Sequence, residues 1–259
     1  MNRIEAELLK YKKTMMSKLI LIIPIFFAVF SMVVQIIISE NPGIKLDMAS
    51  KESWKMFLTL SFNFWSFIFI PMISALLAGL VANQEKKVGN YRALCCHEIR
   101  PSKIWCYKIM GMVVYMLIAT IVFIAVEVVA GSISAVGNIL FIKILVAAIA
   151  CFLVSISILP IQLFFATNFG MIINLAVGFV GMLSGVLMAP EKYWIFNPYS
   201  WATRLMCPLI GVHPNGIVLN QGDPLLNGDV VGIGIILSMI SFSILLFITG
   251  KLFEKKEFR

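Results

Sequence analysis

One carboxylate, Glu127, and four amides, Gln35, Asn63, Gln162 and Asn174, lie inside stretches that are otherwise almost wholly apolar. Inserting an ionisable group at the centre of a membrane helix costs roughly 2.5–3.5 kcal/mol, so such a group marks a substrate path or an interhelical tie unless it sits near enough to an end to reach the headgroups. Glu127 falls toward the end of its stretch, which leaves these readings open. Amides in the same setting serve more often as hydrogen-bonded ties between helices. Other chemistry has no carrier in the sequence. Gly250-Lys251 is followed by Leu252 and lacks the earlier glycine of a G-x-x-x-x-G-K-[ST] phosphate cradle, and neither H-E-x-x-H nor G-x-S-x-G occurs. His97 and His213 fall in separate connections, and Cys95, Cys96, Cys106, Cys151 and Cys207 form no C-x-x-C ligand pair. These patterns supply no catalytic residue and no metal site.

The elements that position these groups follow from composition. The chain has 259 residues, of which 60% are hydrophobic and 13% charged, with a mean hydropathy of +0.96. A soluble domain carries about 25% charged residues, so an integral membrane protein is indicated. The net charge of +8 is dispersed at the ends of apolar runs and forms no aromatic-interleaved basic stripe, which argues against nucleic acid as a partner. A helix rising ~1.5 Å per residue crosses a hydrocarbon core of roughly 30 Å in about 20 residues. Six stretches qualify, at 19–39, 56–82, 109–130, 144–165, 171–188 and 230–249. The expected fold is therefore an all-α membrane protein with six transmembrane helices in a single permease domain, 1–259. The first span has no cleavage pattern of small residues and is expected to be retained.

Lysine and arginine in short connections stay on the cytoplasmic side. Placing both termini inside collects Lys10, Lys12 and Lys13, then Lys86, Lys87, Arg92 and Arg100, then Lys251, Lys255 and Lys256 on one face; the other receives Lys45, Lys51, Lys55, Lys192 and Arg204. Ahead of the first span, within 1–18, Ile4, Leu8, Tyr11 and Met15 recur at steps of three or four among lysines, the pattern of an interfacial amphipathic helix. The 83–103 connection becomes the main cytoplasmic segment, with Tyr91, Leu94, Cys95 and Ile99 as an apolar set in a charged background. The 190–229 connection becomes a long external loop rich in proline and aromatics, of a length that usually carries a function. Pro24, Pro71 and Pro160 should bend the first, second and fourth spans. Gly178, Gly181 and Gly185 permit close helix approach along the fifth.

This plan is similar to the permease subunit of a type-2 ATP-binding-cassette exporter over essentially the whole chain. More narrowly, Asn197-Pro198-Tyr199-Ser200-Trp201, then Arg204-Leu205-Met206-Cys207-Pro208 and His213-Pro214-Asn215-Gly216, resemble the lantibiotic-immunity permeases of the MutE/EpiE family. So does Gly89-Asn90-Tyr91-Arg92-Ala93-Leu94, followed by Pro101 and Ile104-Trp105; Ala202 stands where that family often has proline. The resemblance implies a non-enzymatic subunit of an exporter that expels lantibiotics or other cationic antimicrobial peptides, in a bacterial plasma membrane. It implies a separate ABC ATPase that binds ATP and Mg, no cofactor on this chain itself, and a second related permease. Glu85, Tyr91, Arg92, Leu94 and Pro101 would couple to the ATPase. Glu127, Asn197, Tyr199, Trp201 and Arg204 would line a substrate path or external gate. Two alternatives stay open: a permease of this architecture for a small drug, an ion or a lipid-linked glycan, and a membrane protein that sequesters or senses the peptide without transport.

Overall fold

A computed structural model describes residues 3–12, 14–40, 53–87 and 100–255. Among them the chain is helical: α1 (Arg3–Tyr11), α2 (Met15–Glu40), α3 (Ser53–Phe64), a π turn (Trp65–Phe69), α4 (Ile70–Lys87), α5 (Pro101–Ser134), α6 (Phe141–Ser155), α7 (Ile158–Phe169), α8 (Met171–Met188), α9 (Pro198–Ile210) and α10 (Asp229–Glu254). Short 3-10 turns at Lys192–Phe196 and Pro224–Leu226 flank α9. Five helical stretches are long and apolar enough to cross a membrane, and α6 with α7 forms a sixth, broken span. The protein is an all-α, multi-pass membrane protein. Its outward surface is apolar, as on α2, where Leu21, Ile22, Ile25 and Phe26 are exposed, because lipid rather than water solvates that face.

Three prolines fall inside spans and have different outcomes. Pro24 is carried within a continuous α2. Pro71 follows the π turn, in which the Ile70 N–H reaches back five residues to Trp65 O. The wider turn absorbs the hydrogen bond that a proline ring deletes, and the Trp65 ring, stacked on Phe123 at 3.8 Å between centroids and on Phe69 at 4.7 Å, packs it. Pro160 lies just past a 44° bend between α6 and α7. Its ring crowds the carbonyl four residues back, at Ile156, which is where the helix breaks.

Two faces of the bundle are distinguished by which ends meet there. α1, the end of α4, the start of α5 and the end of α10 gather on one face: Lys108 reaches Glu7 and Glu85, and Trp105 Nε1 donates to Thr249 Oγ1 at 2.9 Å. This is the terminal face. The end of α2 and the start of α3 meet on the opposite, far face, where Gln35 Nε2 donates to Ser53 O at 3.4 Å. The end of α5 joins them there through Trp54 Nε1, which donates to Gly137 O at 3.3 Å. The spans are longer than the sequence pattern suggests. α5 has 34 residues, about 51 Å at ~1.5 Å per residue, so it projects beyond the hydrocarbon core. α1 ends at Tyr11, short of residue 18, and Met15 belongs to α2 with its side chain exposed.

Candidate functional site

The far face is organised by α9. The 190–229 connection, expected as a long loop, contains this buried helix, which packs chiefly against α6 and α8 and also touches α3 and α10. Asn197 starts it: its Oδ1 accepts from the Tyr199 N–H at 3.0 Å, Pro198 occupies the first helical position, and Asn197 Nδ2 donates to Ser184 Oγ of α8 at 3.1 Å. Gly211 ends it in the left-handed region at φ +89°, a conformation that costs glycine nothing. Residues 211–219 then fold back through a Val212–Val218 bridge. Asn63 Nδ2 holds this turn by donating to Pro214 O at 3.2 Å and His213 O at 3.4 Å.

The aromatic residues of this region divide between core and surface. Tyr193 and Phe196 are exposed, as an interfacial belt requires, whereas Trp194, Tyr199 and Trp201 are buried. Trp201 Nε1 donates to Trp194 O and Ile195 O, both at 3.1 Å. Arg204 Nη1 donates to Leu225 O at 2.8 Å, and its guanidinium lies 5.9 Å from the centroid of the Trp194 ring. Tyr199 Oη accepts from Gln162 Nε2 at 2.7 Å. Asn197, Tyr199, Trp201 and Arg204 thus all have internal partners and hold the far-face cap together.

The glycines of α8 seat Tyr199. A Cβ built on Gly181 would stand 2.6 Å from the Tyr199 ring, one on Gly185 2.6 Å from Tyr199 O, and one on Gly178 2.7 Å from the Ala75 Cβ. The stripe is therefore consumed within the chain. Backbone yields less than a ring, so Gly185→Ala is expected to destabilise by about 1–3 kcal/mol through overpacking and Gly181→Ala by less. Gly232→Ala, with nothing within 4 Å, should be neutral or slightly stabilising. Thermal unfolding of the detergent-solubilised proteins checks the order, and equal midpoints for Gly185→Ala and Gly232→Ala would contradict it.

Glu127 lies on α5 with no exposed surface. One carboxylate oxygen accepts a hydrogen bond from Ser61 Oγ of α3, and the other, buried, has no hydrogen-bond partner. The residue ties α3 to α5 and does not reach the headgroups in this conformation. The remaining span amide behaves similarly: Asn174 Nδ2 donates to Ala75 O at 2.6 Å.

On the terminal face, four charges from three helices meet. Lys10 Nζ lies 2.9 Å from Glu7 Oε1 and 3.2 Å from Glu85 Oε1; Lys108 Nζ lies 2.5 Å from Glu85 Oε1 and 3.4 Å from Glu7 Oε2. Tyr11 Oη donates to Glu7 Oε2 at 3.2 Å, and Gln84 Nε2 donates to Lys10 O at 3.1 Å. Lys108 is wholly buried and Glu7 and Glu85 nearly so. Burial alone would raise the Glu7 carboxyl, but Lys108 and then Lys10 outweigh it and hold it below the ordinary carboxylate value; burial opposes the Lys10 ammonium, which its two carboxylates hold above the ordinary lysine value. A lowered carboxyl stabilises the folded state at neutral pH and loses that contribution as pH falls through its folded value. A raised ammonium loses its contribution as pH rises through its own.

Lys108 and Glu127 are separated by 19 residues of one helix, about 28 Å along the axis. That matches the hydrocarbon thickness of roughly 30 Å, so the two buried charge sites sit near its two boundaries. Glu85, expected at a coupling surface, is turned into the bundle instead. Pro101 is the first residue of α5, half-buried. Tyr91, Arg92 and Leu94 lie outside the described residues.

Glu7 and Lys108 are the functional residues that the sequence pattern did not single out. A signal for Lys108 was present: Pro101 marks a helix start, which puts Lys108 two turns inside a helix among Ile104, Trp105 and Ile109 rather than at its edge.

Neither a curated protein nor a solved structure matches the chain. The family described as ABC-2 family transporter protein matches it over residues 3–185, more than half its length and through the first five spans. A bundle of membrane-crossing helices, with a docked N-terminal helix and charges clamped at one face, is in keeping with that match, and the chain belongs to the ABC-2 transporter family.

Proposed function

We propose that this chain is one membrane half of an exporter that removes lantibiotics or related cationic antimicrobial peptides from a bacterial plasma membrane. Membership of the ABC-2 family makes it a transport permease subunit and implies an ABC ATPase partner. In this reading both termini and the 83–103 segment are cytoplasmic, a second related permease completes the membrane part, and ATP is hydrolysed in the partner.

The observation that carries the peptide reading is the Asn197–Trp201 motif with Arg204. The residues that resemble lantibiotic-immunity permeases are those that cap, brace and seat α9 at the far face. Amphipathic peptides partition into a leaflet by burying apolar surface, so a pump that clears them needs a mobile element at that boundary. The α9 cap, which packs on the bundle without itself being a span, is suited to be the gate. Glu127, buried at its Ser61 tie between α3 and α5, would meet cargo only when the bundle opens. Glu85 supports coupling from inside, by tying the helix that precedes the 88–99 segment to α1 and α5.

The test is a lantibiotic sensitivity panel in cells expressing the chain with its ATPase and companion permease, beside an ATPase-dead control. Protection against at least one lantibiotic that vanishes in the control is expected. Protection that persists with the dead ATPase, or none against any lantibiotic, overturns the reading.

A further inference from the structure

Two lysines of the far face converge on the end of α9. Lys143 Nζ donates to Ile210 O at 3.2 Å, and Lys55 Cε lies 3.9 Å from where a Cβ on the next residue, Gly211, would stand. Ile210 and Gly211 are consecutive, so the two lysine side chains approach the same helix end. Part of this arrangement is a helix cap, because the last carbonyls of a helix attract a cation. One lysine satisfies that need. Among the described residues neither lysine forms an ion pair with a carboxylate, and an ammonium carries three donors, of which Lys143 spends one. Two like charges are thus held together with donor capacity to spare.

Lys143 also lines an open groove of about 620 Å³ whose other walls are Ile139, Leu140, Phe141, Ile142, Val146 and Leu209. Except for Leu209 of α9, these walls belong to the first turns of a span and the loop before it, and Ile142 is among the most exposed side chains of the bundle. The groove therefore opens toward lipid at the membrane boundary. An apolar channel with Lys143 in its wall and Lys55 at the same helix end, neither paired with a carboxylate among the described residues, matches one kind of occupant: acyl chain against the walls, phosphate against the lysines. A zwitterionic headgroup fits less well, since its own ammonium would face Lys55 and Lys143, beside which the described residues place no paired carboxylate. Basic pockets between membrane helices hold anionic headgroups by the same complementarity.

We propose that Lys55, Lys143 and this groove bind one anionic phospholipid from the leaflet on the face opposite the chain termini. The site is independent of the exporter's cargo.

The experiment places the purified protein in nanodiscs of equal parts phosphatidylglycerol and phosphatidylcholine and counts retained lipids by native mass spectrometry. Wild type is expected to retain one more phosphatidylglycerol than the Lys55→Gln/Lys143→Gln double variant, with a loss of affinity of roughly fivefold for each lysine removed. Lys55→Arg/Lys143→Arg should keep the lipid, and Val146→Trp, which fills the groove, should lose it with both lysines intact. If the double variant does not fold, Lys55→Gln alone gives the same readout, because that lysine makes no hydrogen bond among the described residues. Equal phosphatidylglycerol retention by wild type and the lysine variants overturns the proposal. So does efficient disulfide dimer formation by Ile142→Cys, which would put a second copy of the chain over the groove.

Discussion

Lys108→Met is expected to lower the stability of the protein by about 3–5 kcal/mol and to release α1 from the bundle, because it leaves two buried carboxylates facing each other with one partly exposed lysine between them. Methionine matches the aliphatic stem of lysine, so the loss falls chiefly on the charges. Glu7 and Glu85 would then have to take up protons or find water. The cheaper relief is for α1 to swing away, since it is short and joined to α2 through Lys12–Thr14, whereas α4 and α5 are spans. Two measurements check this: thermal unfolding in detergent, and maleimide labelling of a Leu8→Cys reporter on the half-buried side of α1. Wild type should label slowly and Lys108→Met rapidly. Adding Glu85→Gln to Lys108→Met should recover much of the loss, because the Glu7–Lys10 pair that remains is balanced and no buried carboxylate is left without a cation. A Lys108→Met protein with an unchanged midpoint and slow labelling would show that the cluster does not hold α1.

The sequence made the fold class and the spans legible because hydropathy over twenty residues is a property of the segment itself. The fifth span, Met171–Met188, is an instance, bounded by a glycine before it and a proline after the next residue. The spans α3–α4 and α5 were read short because their ends carry Trp54, Lys55, Lys86 and Lys108, residues that look like boundaries by hydropathy but continue the helix. The docked state of α1 was less legible. Its periodicity foretold an apolar face, and Tyr11 is on it, buried against Tyr115 at 5.5 Å between ring centroids. What fixes α1, though, is Glu7 meeting Lys108 across 101 positions of sequence, and no local pattern encodes that.

The 190–229 region shows the same limit from the other side. Its residues were legible as a unit of importance, through aromatics and prolines, but the α9 helix inside it was not. Pro198 and Pro208 read as loop residues, whereas Pro198 opens the helix and Pro208 is carried within it, two residues before its end, without the N–H that would bond the carbonyl of Arg204. Amphipathic aromatics favour the interface, which puts Tyr199 and Trp201 at the outer boundary by residue type alone, while Arg204 can equally pair internally. Each found an internal partner supplied by another segment, Gln162, Trp194 and Leu225.

Arg92→Glu is expected to reduce peptide resistance to the level of cells lacking the chain, with normal amounts of protein in the membrane. The 88–99 segment follows the end of α4 at Lys87, two residues after Glu85, and the chain enters α5 at Pro101. Its two attachment points are clamped to each other by the Glu85–Lys108 pair, so a push delivered to the segment moves α4, α5 and α1 together rather than being lost in slack. In the proposed exporter that push comes from the ATPase, and Arg92 is a contact that receives it. Reversing a charge at such a contact sets like against like, which costs several kcal/mol at an interface, enough to uncouple the partners without touching the bundle. Lys251→Glu is the control: it reverses a charge on the terminal face, in an exposed i,i+3 pair with Glu254, where the effect should be slight. Resistance assays read with membrane protein levels distinguish the outcomes, and co-purification of the ATPase should fall with Arg92→Glu but not with Lys251→Glu. Full resistance and full ATPase recovery in Arg92→Glu would remove this residue from the coupling path and leave the clamp at Lys108 without a lever to act on.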